Sequence, residues 1–219
     1  MSQEAIEKAH KIYTGMPDWF YEMIVYRINT PFAWGARLAD IDAFYKKNIS
    51  NNHLEIGLAS SRFILNNARP QQQVTLLDIN PFNLKKSTEQ LKAHYQIHTI
   101  EANILNPIDT DKRYDSIALN YVLHCLPGDL SVNSKGICLT HLAHLLNENG
   151  KLFGSTIIGQ DVQHNFFGRF LMKKFNAKGI FNNQNDNIDD LRTTLESVFN
   201  RVEINQKGRL AFFVASHGS

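Results

Sequence analysis

Residues 53–80 read HLEIGLASSRFILNNARPQQQVTLLDIN, and this stretch decides the fold class. It holds two short apolar runs, 53–57 and 74–78, separated by a segment long enough for one helix. Neither run alternates cleanly between apolar and polar residues, which is typical of strands covered on both faces in a parallel sheet. The first run ends on Gly57 and the second on Asp78. The stretch therefore predicts a strand-helix-strand unit with a glycine and a carboxylate at its strand ends.

The same alternation continues toward the carboxyl terminus. Further strands are predicted at 97–102, 114–120 and 151–158, with helices near 60–68, 82–95, 134–147, 164–177 and 187–199. Asn149-Gly150 is predicted to end the third of these helices, near 134–147. The last two strands are joined only by Lys207-Gly208, which is too short for a parallel crossover. We expect an α/β sheet of about seven strands, mostly parallel with a reversed last strand, and helices on both faces.

Residues 1–48 precede the first strand and have helical patterns rich in aromatic residues. A helix beginning near Asp18 is predicted to end at Pro31, since proline interrupts helices. We predict that residues 1–48 form a helical lid over the carboxyl edge of the sheet and that residues 49–219 form the main domain. The alternative is that these helices only cover one face of the sheet.

Composition narrows the function class. The chain has 23 Lys and Arg against 21 Asp and Glu, a formal net charge of +2, and no basic run. This balance argues against a dedicated nucleic-acid binder. The two cysteines, Cys125 and Cys138, do not stand at zinc-ligand spacing and are too few for a disulfide framework. No metal site, no signal peptide and no membrane span are predicted, so we expect a cytoplasmic protein.

Polar residues stand at the predicted strand ends, where open α/β sheets bind ligands. Gly57 permits a tight turn and a close approach of ligand to backbone, although an ordinary strand-to-helix turn explains it equally well. Asp78 follows about 20 positions later, the spacing at which an acidic residue binds ribose hydroxyls. Asn103 and Ile104 offer a polar edge and an apolar face, as an adenine ring requires. Asn120 begins a polar loop after the fourth strand, where a substrate would meet a cofactor.

Four motifs together resemble class I S-adenosylmethionine-dependent methyltransferases: HLEIGLASS, TLLDINP, EANILNP and YDSIALNYVLHCLPG. The resemblance covers roughly residues 50–216. Within that family, the sequence is similar to a group of bacterial and fungal small-molecule methyltransferases. The resemblance implies a Rossmann-like sheet, S-adenosylmethionine as cofactor and S-adenosylhomocysteine as product. It also implies in-line methyl transfer to a small molecule.

The resemblance further implies a set of cofactor contacts. These are Tyr21 and Trp34 from the lid, Glu55 and Gly57 at the methionine end, Ala59 in the glycine loop, Asp78 at the ribose, Ile79 on the adenine face, Ala102, Asn103 and Ile104 around the adenine edge, and Asn120 and Tyr121 near the transferred methyl. The family usually has glycine where Ala59 and Ser61 stand here. One alternative is therefore a cofactor-binding protein with weak or no activity.

The acceptor side is less defined by the sequence. His124 is a candidate general base because its ordinary pKa lies near neutrality, and a hydrogen-bonded loop histidine is the alternative. Phe166, Phe167 and Phe170 could wall an apolar pocket, although helical spacing of this kind more often reflects core packing. A nicotinamide dehydrogenase is disfavoured by the interrupted glycine motif. An RNA or protein methyltransferase remains an alternative.

Overall fold

A computed structural model describes residues 18–67 and 72–218. Its centre is a seven-stranded sheet in the order β3-β2-β1-β4-β5-β7-β6. The elements are α1 (Asp18–Tyr21), a π-helix (Glu22–Ala33), α2 (Leu38–Asn48), β1 (Asn52–Ile56), α3 (Arg62–Asn67), β2 (Gln73–Asp78), α4 (Pro81–Leu91), β3 (Gln96–Glu101), β4 (Tyr114–Asn120), a 3-10 turn (Leu123–Cys125), α5 (Ile137–Ala143), β5 (Leu146–Ile157), α6 (Phe166–Ala177), α7 (Ile188–Glu196), β6 (Arg201–Lys207) and β7 (Leu210–Ser216).

The strand directions confirm the predicted fold class. β1 lies between β2 and β4 and runs parallel to both, with Glu55 opposite Leu76 on one side and Ala118 on the other. β3 and β5 extend the parallel sheet outward. β7 is antiparallel to both of its neighbours, so it alone among these strands is reversed. The carboxyl ends of β1, β2 and β4 consequently meet at one edge.

Two apolar cores lie on opposite faces of the sheet. On one face, the strands pack against residues of α2, α3, α4 and α6, including the fully buried Ile41 and Tyr45 of α2. On the other face, α5 and α7 supply Leu139, Leu142 and Leu191. Helix α2 thus covers a sheet face, with the Tyr45 ring 5.4 Å from that of Phe153. No helix in the described part of the chain could span a membrane.

The N-terminal segment differs from the sequence prediction at Pro31. The helix does not end there, because Pro31 lies inside a π-helix that continues to Ala33. The Thr30 hydroxyl donates to the carbonyl of Val25, and the amide of Trp34 donates to that of Asn29. These wider contacts support the last turn around a residue that has no N–H of its own. The part of the predicted lid before Asp18 lies outside the described residues.

The prediction that Asn149-Gly150 ends a helix is also wrong. α5 ends at Ala143, and both residues belong to β5, which begins at Leu146. A Cβ atom at Gly150 would stand 2.7 Å from the carbonyl oxygen of Tyr114, so the glycine permits close contact between the strands.

A buried ion pair fastens the loop before α7 to the core. Lys135 Nζ donates to Asp186 Oδ2 at 2.6 Å and to the carbonyl of Asn182 at 2.8 Å. Lys135 is fully buried and Asp186 nearly so. Burial raises the pKa of Asp186 to about 6 despite the attraction of the ammonium, and burial also lowers the pKa of Lys135. Desolvation therefore offsets the attraction between the two charges. We infer that the ion pair fixes the position of the loop and adds little net stability to the fold.

Removing one partner should cost more than removing both. Lys135→Met leaves an unpaired buried carboxylate, and we expect the free energy of unfolding to fall by about 3–5 kcal/mol. The double variant Lys135→Met/Asp186→Leu should recover most of that loss, because neither charge is then desolvated. Urea unfolding measures both changes. A double variant that is less stable than Lys135→Met would show that the pair itself stabilises the fold.

Candidate functional site

A cavity of about 540 Å³ opens at the edge where the strand ends of β1, β2 and β4 meet. Its lining comes from four regions: the strand ends, the π-helix, the 3-10 turn and the segment after α6. Most of the predicted cofactor residues lie in it: Tyr21, Trp34, Gly57, Ala59, Asp78, Ile79, Ala102, Asn103, Ile104, Asn120 and Tyr121. The structure thus brings together residues from segments 100 positions apart in the chain, from Tyr21 to Tyr121.

The turn after β1 depends on Gly57. Its φ is +79°, in the left-handed region that favours glycine, and a Cβ there would lie 2.5 Å from Val122 Cγ2. Its amide donates to the carbonyl of Leu77, which ties the turn to β2. Only glycine fits both this backbone angle and the narrow space beside Val122. The turn after β1 and the residues after β4 are therefore in close contact at Gly57.

Asp78 sits at the centre of the second strand end and is almost fully buried. One carboxylate oxygen accepts from the amide of Leu58 at 2.6 Å and from Asn83 Nδ2 at 3.3 Å. The other accepts from the amide of Asn80 at 2.8 Å. A carboxylate has about four lone-pair sites, so these three bonds leave one site, on Oδ1, for a ligand. Its side chain thereby orients the glycine loop and faces the cavity at once.

The residues at the third strand end are less buried than Asp78 and offer polar groups to the cavity. Asn103 is half-buried, and its Oδ1 accepts from the amide of Leu105 at 3.0 Å. The amide of Ala102 donates to the carbonyl of Asp78, which joins this end to the second. Ile104 and Ile79 give the cavity two apolar walls beside these polar groups. The region can hold a flat heterocycle with a polar edge.

Asn120 carries a buried amide group that the protein leaves partly unpaired. Its Oδ1 accepts from Ser155 Oγ at 3.0 Å, and Ser155 is itself buried. Its Nδ2 has no hydrogen-bond partner in the described part of the structure, although Asn120 is only 6% exposed. An unpaired buried donor costs about 1–3 kcal/mol, and here it belongs to a residue that lines the cavity. The group fits a ligand that accepts a hydrogen bond.

Tyr121 holds an unfavourable backbone conformation beside that amide. Its φ is +58°, which is uncommon for a bulky residue and costs about 1–3 kcal/mol. Its amide donates to the carbonyl of Ser155, and its hydroxyl lies 2.9 Å from Thr30 Oγ1 in the π-helix. The strained residue therefore links the sheet edge to the N-terminal segment.

His124 follows in the 3-10 turn and is 2% exposed. Its Nδ1 accepts from the amide of Ile157 at 3.3 Å and lies 3.4 Å from Thr156 Oγ1. Burial, with a smaller contribution from Lys135, lowers its pKa to about 3. The ring is neutral at physiological pH and lines the cavity.

A chain of aromatic rings that the sequence analysis largely missed forms one wall. Tyr26 contacts the rings of Tyr21, Phe63 and Tyr121 at 5.2–5.7 Å between centroids. Phe181 lies 4.5 Å from the His124 ring, and Phe175 lies 5.0 Å from Phe181. The sequence analysis did not single out Tyr26, since the sequence does not reveal which part of a helix faces a cavity.

Four predicted residues lie elsewhere. Glu55 is absent from the described cavity lining, and its Oε2 accepts from the Tyr45 hydroxyl at 2.5 Å and lies 3.0 Å from His53 Nε2. Phe166, Phe167 and Phe170 are exposed on α6 and also do not line the cavity. They differ from the predicted pocket wall because Leu171 and Met172 are the α6 residues that turn toward the sheet.

The comparisons with known proteins agree with this arrangement. A family model described as a methyltransferase domain matches residues 54–152. Demethylluteothin O-methyltransferase of Streptomyces thioluteus is 35% identical over 192 residues, 86% of this chain and 82% of the relative. Methyltransferase verB of Penicillium polonicum is 34% identical, with 94% of this chain and 96% of the relative covered. The N-methyltransferase NodS of Bradyrhizobium japonicum, solved with S-adenosylhomocysteine, shares the fold at 15% identity and a TM-score of 0.64, covering 96% of this chain and 98% of its own.

A Rossmann-like sheet with its reversed strand and a cavity at the strand ends defines a class I methyltransferase. The chain belongs to the S-adenosylmethionine-dependent methyltransferases. The residues present fit that cofactor, because the cavity offers a buried carboxylate, an unpaired amide and a glycine turn that a Cβ would obstruct. The described residues contain no group of three or more His, Cys, Asp or Glu side chains arranged to hold a metal ion.

The glycine turn can be tested against a matched position. Gly57→Ala introduces both left-handed strain and a collision with Val122, whereas Gly179→Ala introduces strain at φ +68° with open space around it. We expect Gly179→Ala to lower the free energy of unfolding by about 1–2 kcal/mol and Gly57→Ala to lower it further. Chemical denaturation measures both.

The double variant Gly57→Ala/Val122→Ala serves as the control for the collision. Its free energy of unfolding should be higher than the sum of the two single losses predicts, because the smaller side chain at position 122 relieves the clash. Equal losses for Gly57→Ala and Gly179→Ala would contradict the role given to the Val122 contact.

Proposed function

We propose that this methyltransferase methylates an oxygen atom of an apolar small molecule bound in the cavity beside the cofactor. The observation that carries the proposal is the division of one cavity into a polar end at the strand termini and an aromatic end near Tyr121 and Phe181. A cavity of about 540 Å³ lies in the range typical of small-molecule sites. The Streptomyces thioluteus relative is named as an O-methyltransferase, which supports oxygen as the acceptor atom.

The strand ends are the proposed cofactor site. Asp78 would accept from a ribose hydroxyl, Ile79 would pack on the adenine, and Asn103 with Ala102 would face its edge. The Gly57 turn, with Ala59, would let the methionine end approach the backbone, and Asn120 would donate its unpaired amide hydrogen there. Glu55 would act indirectly, by holding Tyr45 and β1 in place.

The aromatic end is the proposed acceptor site. When bound, S-adenosylmethionine supplies a methyl group activated by a positively charged sulfur. Tyr21, Tyr26 and Tyr121 present π-systems, whose negative faces attract a cation and exclude water. The protein thus contributes orientation and desolvation, which are the main requirements of an in-line displacement.

Of the predicted lid, residues 1–48, the segment 18–34 is proposed to close this site, apart from the catalytic domain at 49–219, whereas α2 covers a sheet face. Tyr21 of α1 and Tyr26 of the π-helix line the cavity, and the Thr30 hydroxyl lies 2.9 Å from that of Tyr121. Trp34 is 1% exposed, and its carbonyl accepts from the amide of Arg209 at 2.7 Å. The lid therefore has a firmly held end at Trp34. We further propose a cytoplasmic enzyme that does not bind nucleic acid, consistent with a formal net charge of only +2.

The cofactor site predicts the effect of Asp78→Ala. The affinity for S-adenosylhomocysteine should fall by about 1–3 kcal/mol, because a ribose hydroxyl loses a buried acceptor. Titration calorimetry measures this loss. Asp109→Ala, which removes an exposed carboxylate from the loop after β3, is the control and should bind as the unchanged protein does. Equal affinity for the two variants would remove Asp78 from the site.

The acceptor proposal predicts where a labelled methyl group is found. Cells making the enzyme and supplied with methyl-labelled methionine should accumulate a labelled apolar compound with a new methyl ether or ester. Mass spectrometry against cells without the enzyme identifies it. Label found only in protein or RNA would favour a macromolecular acceptor, and binding without any labelled product would favour a protein that holds the cofactor without transferring methyl.

A further inference from the structure

The hydrogen bonds of His124 determine which ring nitrogen carries its proton. The amide of Ile157 points at Nδ1 across 3.3 Å. A backbone amide can only donate, so Nδ1 must carry the lone pair and the proton of the neutral ring lies on Nε2. Within the described part of the chain, no protein group bonds to Nε2. His124 lines the cavity, and the ring nitrogen that it leaves for a ligand is a donor, whereas a general base would have to present a lone pair.

The groups around this ring do not supply a base either. Tyr121 and Cys125 belong to the same loop, and burial raises the pKa of both, that of the thiol to about 12. Lys135, two residues before α5, is held by Asp186. Thr156 and Phe181, from β5 and the segment after α6, do not titrate.

Four further titratable groups line the cavity: Tyr21, Tyr26, Asp78 and Lys178. Tyr21 is buried, and Lys178 is exposed after α6, where a lysine ammonium offers donors but no acceptor. Burial raises the pKa of Tyr26 as well, and Asp78 lies at the other end of the cavity among the donors of the glycine loop. The aromatic end thus has a fixed N–H donor and no described side chain suited to accept a proton at neutral pH.

We propose that the acceptor is an acidic hydroxyl, of the enol or electron-poor phenol class, which binds as its anion and receives a hydrogen bond from Nε2 of neutral His124. This inference rests on the proposed function. The hydroxyl proton goes to solvent as the anion enters. A lone pair of the oxygen then forms the new O–C bond while the electron pair of the breaking S–C bond stays on sulfur. An anion and a sulfonium cation become a neutral enol or aryl ether and a thioether, and no proton moves in that step.

The chemistry of the cavity favours this class of acceptor. Opposite charges that disappear in the transition state gain from an apolar, water-poor environment. A hydrogen bond to an anion is about twice as strong as one between neutral groups, so a single donor is enough to favour the ionised acceptor. An alcohol of ordinary acidity would need a base that this wall lacks. His124 is accordingly a residue that positions the acceptor and selects its charge state.

Nitrogen NMR of histidine-labelled protein tests the tautomer without cofactor or acceptor. We expect the His124 ring to show a protonated Nε2 and a bare Nδ1, unchanged from mildly acidic to mildly basic pH. Signals are assigned by their loss in His124→Gln and, for comparison, in His94→Gln, which changes an exposed ring. A protonated Nδ1, or titration of His124 near neutrality, would overturn the inference whether or not the protein binds the cofactor.

Para-nitrophenol, which changes colour on ionisation, tests the charge selection. Protein saturated with S-adenosylhomocysteine should lower the apparent pKa of the bound phenol, seen as a growing phenolate band. His124→Leu should weaken phenolate binding about tenfold or more relative to His124→Gln, which keeps an N–H donor. Preference for the neutral phenol in the unchanged protein, with S-adenosylhomocysteine bound, would overturn the inference and leave the proposed function standing. Absence of S-adenosylhomocysteine binding in calorimetry would instead refute the proposed cofactor site.

Discussion

The parallel pairing of β1 with β2 and β4 is the constraint on which the rest of the molecule depends. Because the three strands run in one direction in fixed register, their carboxyl ends lie side by side. Gly57 follows β1 directly, and β2 and β4 end in the polar residues Asp78 and Asn120. The backbone there is held in two left-handed positions, Gly57 and Tyr121. Val122 fits against the bare face of Gly57, so the first and fourth strand ends are matched in shape as well as in register.

Around this edge, polar and apolar groups are segregated along the cavity. Loop amides donate to Asp78, while the buried Nδ2 group of Asn120 has no hydrogen-bond partner among the described residues. On the aromatic side, the exposed Lys178 lines the cavity, and the buried pair of Lys135 and Asp186 fastens the loop around Asn182. The strain at Tyr121 is maintained by contacts on both sides, one to Ser155 and one to Thr30. The strained backbone of Tyr121 thus costs free energy at a position where ligand groups must be placed accurately.

The sequence predicted the sheet well because strand periodicity and loop length are local signals. The two-residue link at Lys207-Gly208 was enough to reverse β7, and the glycine-to-aspartate spacing was enough to bring Gly57 and Asp78 together. Orientation about a helix axis was harder. Phe166 and Phe170 share a spacing that fits core or pocket, and only the packing of α6 on the sheet shows that they face outward. The tautomer of His124 depends on Ile157, 33 residues away, and no local pattern reveals it.

The tip of the β6-β7 hairpin has a consequence for how the enzyme is made. Gly208 allows that tip to press against the backbone of Trp34 and Gly35, and Arg209 donates to the carbonyl of Ala33, 176 residues earlier. The N-terminal segment that lines one side of the cavity is therefore synthesised long before the hairpin that supports it. A nascent chain still lacking its final hairpin has the strand ends without the support for this segment. Closing so long a loop costs entropy that only the finished sheet repays. The contacts that hold this segment therefore form only after the hairpin has been made.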